Sequence, residues 1–273
     1  MKTKIVLLFL LIISLGCEDV VEVDLDTAEP KLVVEASIDW QKGTDGSLQT
    51  IKLSTTTAYF SNEIPKVSGA LVEIKNSTNE VYVFTEQPNT GNYVCNYFEP
   101  ILNETYTLSI NYKGQIYTAT EKLMPVSEIL EIEQINDGGF TGESIELKFY
   151  FQDNGLENNF YMSKLNLPSK ININPEYAAF DDKFLQGNLI FDYYTDEDLA
   201  TGDSIAYTLY GISQQYYNYM NILLNIAGNN SGGPFSTAPA TVRGNILNQS
   251  NPENYPLGYF RLSETDTETY VVE

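Results

Sequence analysis

Hydrophobic and polar positions alternate with a period of two along most of the first half of the chain. Leu32, Val34, Ala36 and Ile38 fall on one face of an extended segment, and Ile51 and Leu53 alternate with Thr50, Lys52 and Ser54. Ala70, Val72 and Ile74 repeat the pattern, and Tyr106, Leu108, Ile110 and Tyr112 stand against Thr105, Thr107, Ser109 and Asn111. One apolar and one polar face is the mark of a half-buried antiparallel strand. Gly43-Thr44-Asp45-Gly46, Asn76-Ser77-Thr78-Asn79, Pro88-Asn89-Thr90-Gly91 and Lys113-Gly114 supply turns between these runs. About seven short strands over residues 30–125 predict an immunoglobulin-like or transthyretin-like sandwich. Tyr106 is placed to act as a tyrosine corner, its hydroxyl tying a crossing loop to its strand.

Met124-Pro125-Val126 reads as a boundary, and residues 126–273 as a second β-rich domain. Its strands include a run in which Ile145, Leu147, Phe149 and Phe151 alternate with Glu146, Lys148 and Tyr150, followed by Leu189 to Tyr194 and Ile205 to Ile212. One amphipathic helix is expected near residues 213–228. Ser213 is a capping residue, and Ile212 and Tyr217 occupy the positions of a hydrophobic staple. Tyr216, Met220, Leu223, Leu224 and Ala227 form its apolar stripe, and Gly228 ends it. The expected fold class is therefore mainly β: an N-terminal sandwich, then a β-rich domain with one helix.

The N-terminus follows a different logic. Lys2 and Lys4 precede an unbroken apolar run from Ile5 to Ile13, and Ser14-Leu15-Gly16-Cys17 follows. The run is shorter than the roughly 20 apolar residues that span a bilayer. Residues 1–16 have the anatomy of a secretory signal, and the cysteine after Gly16 makes it resemble a bacterial lipobox. That resemblance implies a diacylglycerol thioether on Cys17 and a mature chain held to a membrane by its lipid. Glu18 and Asp19 resemble the surface-export signal of Bacteroidota lipoproteins. Residues 17–29 carry acids and no base, and read as a solvated tether. Asp26-Thr27-Ala28 resembles a short O-glycosylation pattern, with Thr27 as the acceptor.

The charge is strongly acidic, 15 Lys+Arg against 37 Asp+Glu for a formal net charge of −22, and there is no histidine. Histidine triads, histidine-ligated zinc or haem and a histidine general base are thereby excluded. A surface this acidic repels a polyanion, so no nucleic-acid partner is expected. With Cys17 lipidated, Cys95 has no disulfide partner; within a strand it reads as a buried, inert thiol. Asp and Asn cluster at Asp153 to Asn159 and at Asp192 to Asp203, but neither run has EF-hand spacing, and solvated turns explain them equally well. No catalytic residue, metal ligand or cofactor is assigned. Tyrosine is abundant, at 20 residues. Tyr193, Tyr194, Tyr210 and Tyr217 are the candidates for a ligand or partner surface, because tyrosine gives large contact area at low entropy cost. Packing inside sheets is the competing use.

Several segments, taken in order, carry a family resemblance. They are Cys17-Glu18-Asp19, Pro30 to Glu35, Val67 to Ile74, Glu104 to Leu108, Phe151 to Gly155 with Asn159-Phe160-Tyr161, Gly233 to Ser236, Val242 to Ile246 and Leu257 to Phe260. Together they resemble a family of Bacteroidota lipoproteins of unknown function, whose members tend to be encoded beside TonB-dependent outer-membrane receptors. The resemblance implies an outer-membrane lipoprotein facing the cell exterior, acting as a non-catalytic accessory or ligand-binding component of a nutrient uptake system. Its implied partners are a TonB-dependent receptor and a small nutrient, peptide or glycan. A structural or adhesive surface module and a carboxylate-dependent hydrolase are the alternatives.

Overall fold

The computed structural model describes residues 29–58, 61, 63–170, 174–227 and 242–273. The first half of the chain holds β1 (Leu32–Gln41), β2 (Gln49–Thr55), β3 (Leu71–Asn76), β4 (Val81–Glu86), β5 (Asn92–Cys95), β6 (Thr105–Tyr112) and β7 (Gln115–Met124). After Pro125 come β8 (Ile129–Gly138), β9 (Ser144–Gln152), β10 (Phe160–Asn166), β11 (Glu176–Asp181), β12 (Leu189–Thr195) and β13 (Ser204–Ile212). Helix α1 (Gln214–Ala227), β14 (Leu247–Asn248) and the long β15 (Leu257–Val271) complete the chain. The fold is mainly β, as the alternation predicts.

The first seven strands are linked in the order β1-β2-β5-β4-β3-β6-β7. They do not close on themselves. β15 lies between β1 and β7 and runs parallel to both, so eight strands form a closed ring. Phe260 pairs with Ala36 and Leu262 with Leu123, and both enter the same core as Leu32, Val34, Ile51, Val72 and Leu108. Ile246, just before β14, joins that core too. The expected division at residue 126 therefore needs a correction. Residues 246–264 pack with the first unit, although they follow the second in sequence. The physical reason is that the seven-strand set leaves β1 and β7 with unpaired edges, and an edge next to a hydrophobic core recruits a strand.

The predicted inward faces are otherwise where the pattern puts them. Tyr106 is buried; its hydroxyl donates to the Glu99 carbonyl at 2.9 Å and accepts from the Ile101 amide at 3.0 Å, tying down the crossing loop. Cys95 is buried, and burial pushes its thiol up.

Past Thr265, β15 leaves the ring and pairs with β13, from Tyr210↔Thr265 to Ser204↔Val271. The sheet continues through β10 to β11. A three-stranded sheet, β12-β9-β8, covers one face of it, burying Phe149, Phe151, Tyr161, Tyr207 and Leu209 between the two. The rings of Phe149 and Tyr207 stack with centroids 4.1 Å apart. Helix α1 covers the other face, with Tyr216 and Met220 against Met162, Tyr210, Ile212 and Tyr259. Ser213 caps it, its Oγ accepting the Tyr216 amide at 3.2 Å. Among the described residues, no helix is long and apolar enough to cross a membrane.

Candidate functional site

The four tyrosines singled out by sequence separate into different environments. Tyr193 stands outward on β12 and is 60% exposed. Tyr194, its neighbour on the same strand, points the other way into the second core. Tyr210 is buried beneath α1, and Tyr217 is half-buried with its ring 5.2 Å from Phe160. The expected tyrosine surface is therefore corrected: Tyr194 and Tyr210 are packing residues, because successive residues on a strand face opposite sides and both faces of β13 are covered. Burial pushes the Tyr194 phenol up to about 12, with the charge of Asp196 adding to it.

Tyr193 has companions that the sequence reading did not single out. Leu189, Phe191 and Tyr193 form an exposed stripe along β12. Opposite them on β9 stand Gln152, Tyr150 and Lys148 in register. The Phe191 and Tyr150 rings lie 5.5 Å apart, and the Lys148 ammonium sits 5.2 Å from the Phe191 centroid. The Tyr150 hydroxyl donates to Glu133 of β8 at 2.7 Å, and this bond to a carboxylate pushes the phenol up. The outer face of this sheet thus grades from apolar at the β12 edge to charged at β8. Such a face buries little in the folded chain and offers rigid rings with hydrogen-bonding groups beside them. The alternation of Phe191 and Tyr193 with inward Ile190 and Tyr194 is visible in the sequence, and read for orientation it marks this stripe.

A second concentration of polar groups lies at the seam between the ring and the second unit. Arg261 of β15 is buried, and its Nη2 meets Asp39 of β1 at 2.8 Å. Its guanidinium carbon is 5.0 Å from the Tyr210 ring and 5.3 Å from Tyr216. Arg261 Nε and Nη1 and the Ser263 hydroxyl have no hydrogen-bond partner. Close by, Glu121 of β7 accepts from the Ser213 hydroxyl at 3.0 Å and from the Tyr259 hydroxyl at 3.2 Å. Burial raises the Glu121 carboxyl, against the opposing effect of these donors and the Lys122 amide. The helix cap of the second unit is thus held by a carboxylate of the first.

The acidic clusters are engaged locally. Asp153 accepts from the Tyr161 hydroxyl at 2.6 Å and the Gly187 amide at 2.7 Å. Asp182 is buried and accepts from the Asn159 amide, and burial raises its carboxyl. Asp192 points inward and accepts from the Tyr207 hydroxyl. Among the described residues, no group of three or more carboxylates or thiols is arranged to hold a metal ion. Cys17, Glu18, Asp19, Thr27 and the loop from Gly228 to Pro239 lie outside the described residues.

Comparison with known proteins gives a family and distant structural likenesses. The family profile of a domain of unknown function (DUF4249) matches residues 18–269. No curated protein matches the sequence. Among solved structures, a cytokine receptor complex is 7% identical, with 68% of this chain and 86% of that chain covered and a TM-score of 0.28. A two-domain fibronectin type-III segment of chicken tenascin is 11% identical over 67% of this chain and 90% of that one, at a TM-score of 0.22. A DUF4785 family protein from Legionella pneumophila is 9% identical over 66% and 51%, at 0.25. Likenesses at this level carry no argument about this chain's role.

Proposed function

The chain belongs to the DUF4249 family of domains of unknown function, and from that premise we propose that it is a surface-exposed outer-membrane lipoprotein. In this reading Cys17 carries the lipid, and the folded part is a non-catalytic accessory or ligand-binding component of a TonB-dependent nutrient uptake system. The observation that carries the reading is the course of β1 and β15. β1 starts beside the start of β15, at Val33↔Leu257, and the two run parallel to Gln41↔Thr265. β15 then continues into the second unit. The acidic tether therefore joins the ring at the pole opposite the second unit. At about 3.3 Å per residue, the paired stretch sets the second unit roughly 30 Å from that pole. A lipid at Cys17 would make the ring a pedestal and present the Phe191–Tyr193 face away from the bilayer.

The test is a mild-detergent pull-down of the tagged, lipidated chain from its native membranes, read by mass spectrometry. A stoichiometric barrel receptor is expected, Cys17→Ala should lose both palmitate labelling and the membrane fraction, and the Phe191→Ala/Tyr193→Ala pair should lower barrel recovery at least threefold. Those two rings are outward, so the variant should keep its melting temperature within a few degrees. A clean preparation without a barrel partner sinks the proposal.

A further inference from the structure

The chain reaches β1 through a groove that takes no part in either core. Glu29, Pro30 and Lys31 form one side, and Asn251, Glu253 and Asn254 of the β14–β15 loop form the other, around a volume of about 470 Å³. That size falls among small-molecule sites. Tyr255, next in the loop, carries two cations on its ring. The Lys31 ammonium is 3.2 Å from the centroid and the Arg243 guanidinium carbon 4.0 Å. A hydrogen bond from Lys31, then the charges of Lys31 and Arg243, hold the Tyr255 phenol below its ordinary value.

Among the described residues, neither Lys31 nor Arg243 forms an ion pair, and neither does Glu29 or Glu253. The groove thus holds two positive and two negative groups whose charges are not answered within the fold. A simple anion meets only the cations and is opposed by both carboxylates. A simple cation has the reverse difficulty. A ligand carrying both signs a few ångströms apart is opposed by neither pair. The overall charge points the same way, because a chain of net −22 is repelled by an anionic bilayer and not by a zwitterionic one.

We infer that this groove seats the phosphoethanolamine headgroup of a bilayer lipid, the phosphate on Lys31 and Arg243 and the ammonium on Glu29 and Glu253. The groove lies at the pole where the tether joins the ring. Its use in the cell rests on the proposed anchor at Cys17: the tether brings the pole to the membrane, and the headgroup contact stands the ring upright. A primary ammonium offers three donors to the two carboxylates, whereas the choline headgroup offers none.

The experiment is vesicle flotation of the unlipidated chain, residues 18–273, which contains every described residue. The vesicles are phosphatidylcholine alone, phosphatidylcholine with phosphatidylethanolamine, and phosphatidylcholine with phosphatidylglycerol. Capture at least threefold higher on the phosphatidylethanolamine vesicles is expected. Lys31→Glu/Arg243→Glu and, separately, Glu29→Gln/Glu253→Gln should each reduce it to the phosphatidylcholine level with unchanged circular dichroism. Equal capture on phosphatidylcholine and phosphatidylethanolamine overturns the inference, as does a preference for phosphatidylglycerol. So does a preference that survives either double variant. Because this chain carries no lipid, the result is independent of Cys17 acylation, which palmitate labelling in cells reads separately.

Discussion

The two units of this molecule treat their strand edges in opposite ways. The ring has none: β15 fills the gap between β1 and β7, and every ring strand has two neighbours. The second unit ends at β11 in one sheet and at β12 in the other, and both edges stay open among the described residues. An open edge invites pairing with another chain. β12 counters this with Asp192, whose carboxylate points inward, a common protection of edge strands. Closure makes the ring a stable support, and openness leaves the second unit a rigid sheet face free for contact. The two are joined through β15, which lends Phe260 and Leu262 to the ring core and then pairs with β13.

The sharpest way to break that comparison is to remove the shared strand's fit. Gly258 has φ +95°, a conformation that suits glycine, and a Cβ there would stand 1.9 Å from the Val34 carbonyl oxygen. Gly244 is pressed against the Gly258 carbonyl in turn. Gly258→Ala should cost more than about 3 kcal/mol, through backbone strain and a broken β1–β15 contact. Urea unfolding followed by Trp40, the one tryptophan and a residue of β1, reads the ring. Hydrogen exchange at β9 and β10 reads the second unit. Both should fall at lower urea in the variant. If β9 and β10 keep their protection while Trp40 unfolds, the units are separable and β15 does not couple them.

How far this arrangement was legible in the sequence depends on which surfaces a strand faces. Where one face meets a core and the other meets water, as in β1 and β6, the alternation names the inward residues, and Leu32, Val34, Tyr106 and Leu108 are buried as read. Tyr106 and Cys95 also take the roles their local patterns indicate. β15 defeats the same reading. From Tyr259 to Thr265 every residue is buried, among them Arg261, Ser263, Glu264 and Thr265. One face serves the ring core and the other is covered by the second unit, so polar residues that look exposed lie inside. The tyrosine cluster fails for a related reason. Abundance along the chain does not say which way a ring points, and Tyr193 and Tyr194 differ only in parity.

A smaller effect, with opposite signs for two partners, sharpens the account of the seam. Arg261 is buried and Asp39 is 43% exposed on its side chain. Removing the carboxylate leaves a buried guanidinium with no ion-pair partner, and Asp39→Ala should cost about 2 kcal/mol, reduced from the usual buried-pair figure by the exposure of Asp39. Removing the guanidinium instead relieves two donors that have no partner. Arg261→Met keeps the contact with Tyr210 and Tyr216 and should cost under about 1 kcal/mol, or stabilise. Equal losses in both variants would mean that packing, and not charge, sets the energetics there.

The smallest effect concerns Glu121, which ties the ring to the helix cap. Burial raises its folded carboxyl above the ordinary glutamate value of 4.5. For an acid raised in this way, the native state binds more protons than the unfolded state between the two values, so stability falls as pH rises through that window. The native chain should therefore gain stability from this group as pH drops from neutral towards 5. Glu121→Gln has no such proton to bind, and its amide oxygen still accepts one of the hydrogen bonds at the cap. Other carboxylates respond to pH in both chains alike, so the quantity to read is the difference in melting temperature, variant minus native. That difference should be most positive near pH 7 and shrink as the pH is lowered to 5. A difference that stays constant across the range would place the Glu121 carboxyl at its ordinary value and its role at Ser213 in hydrogen bonding alone.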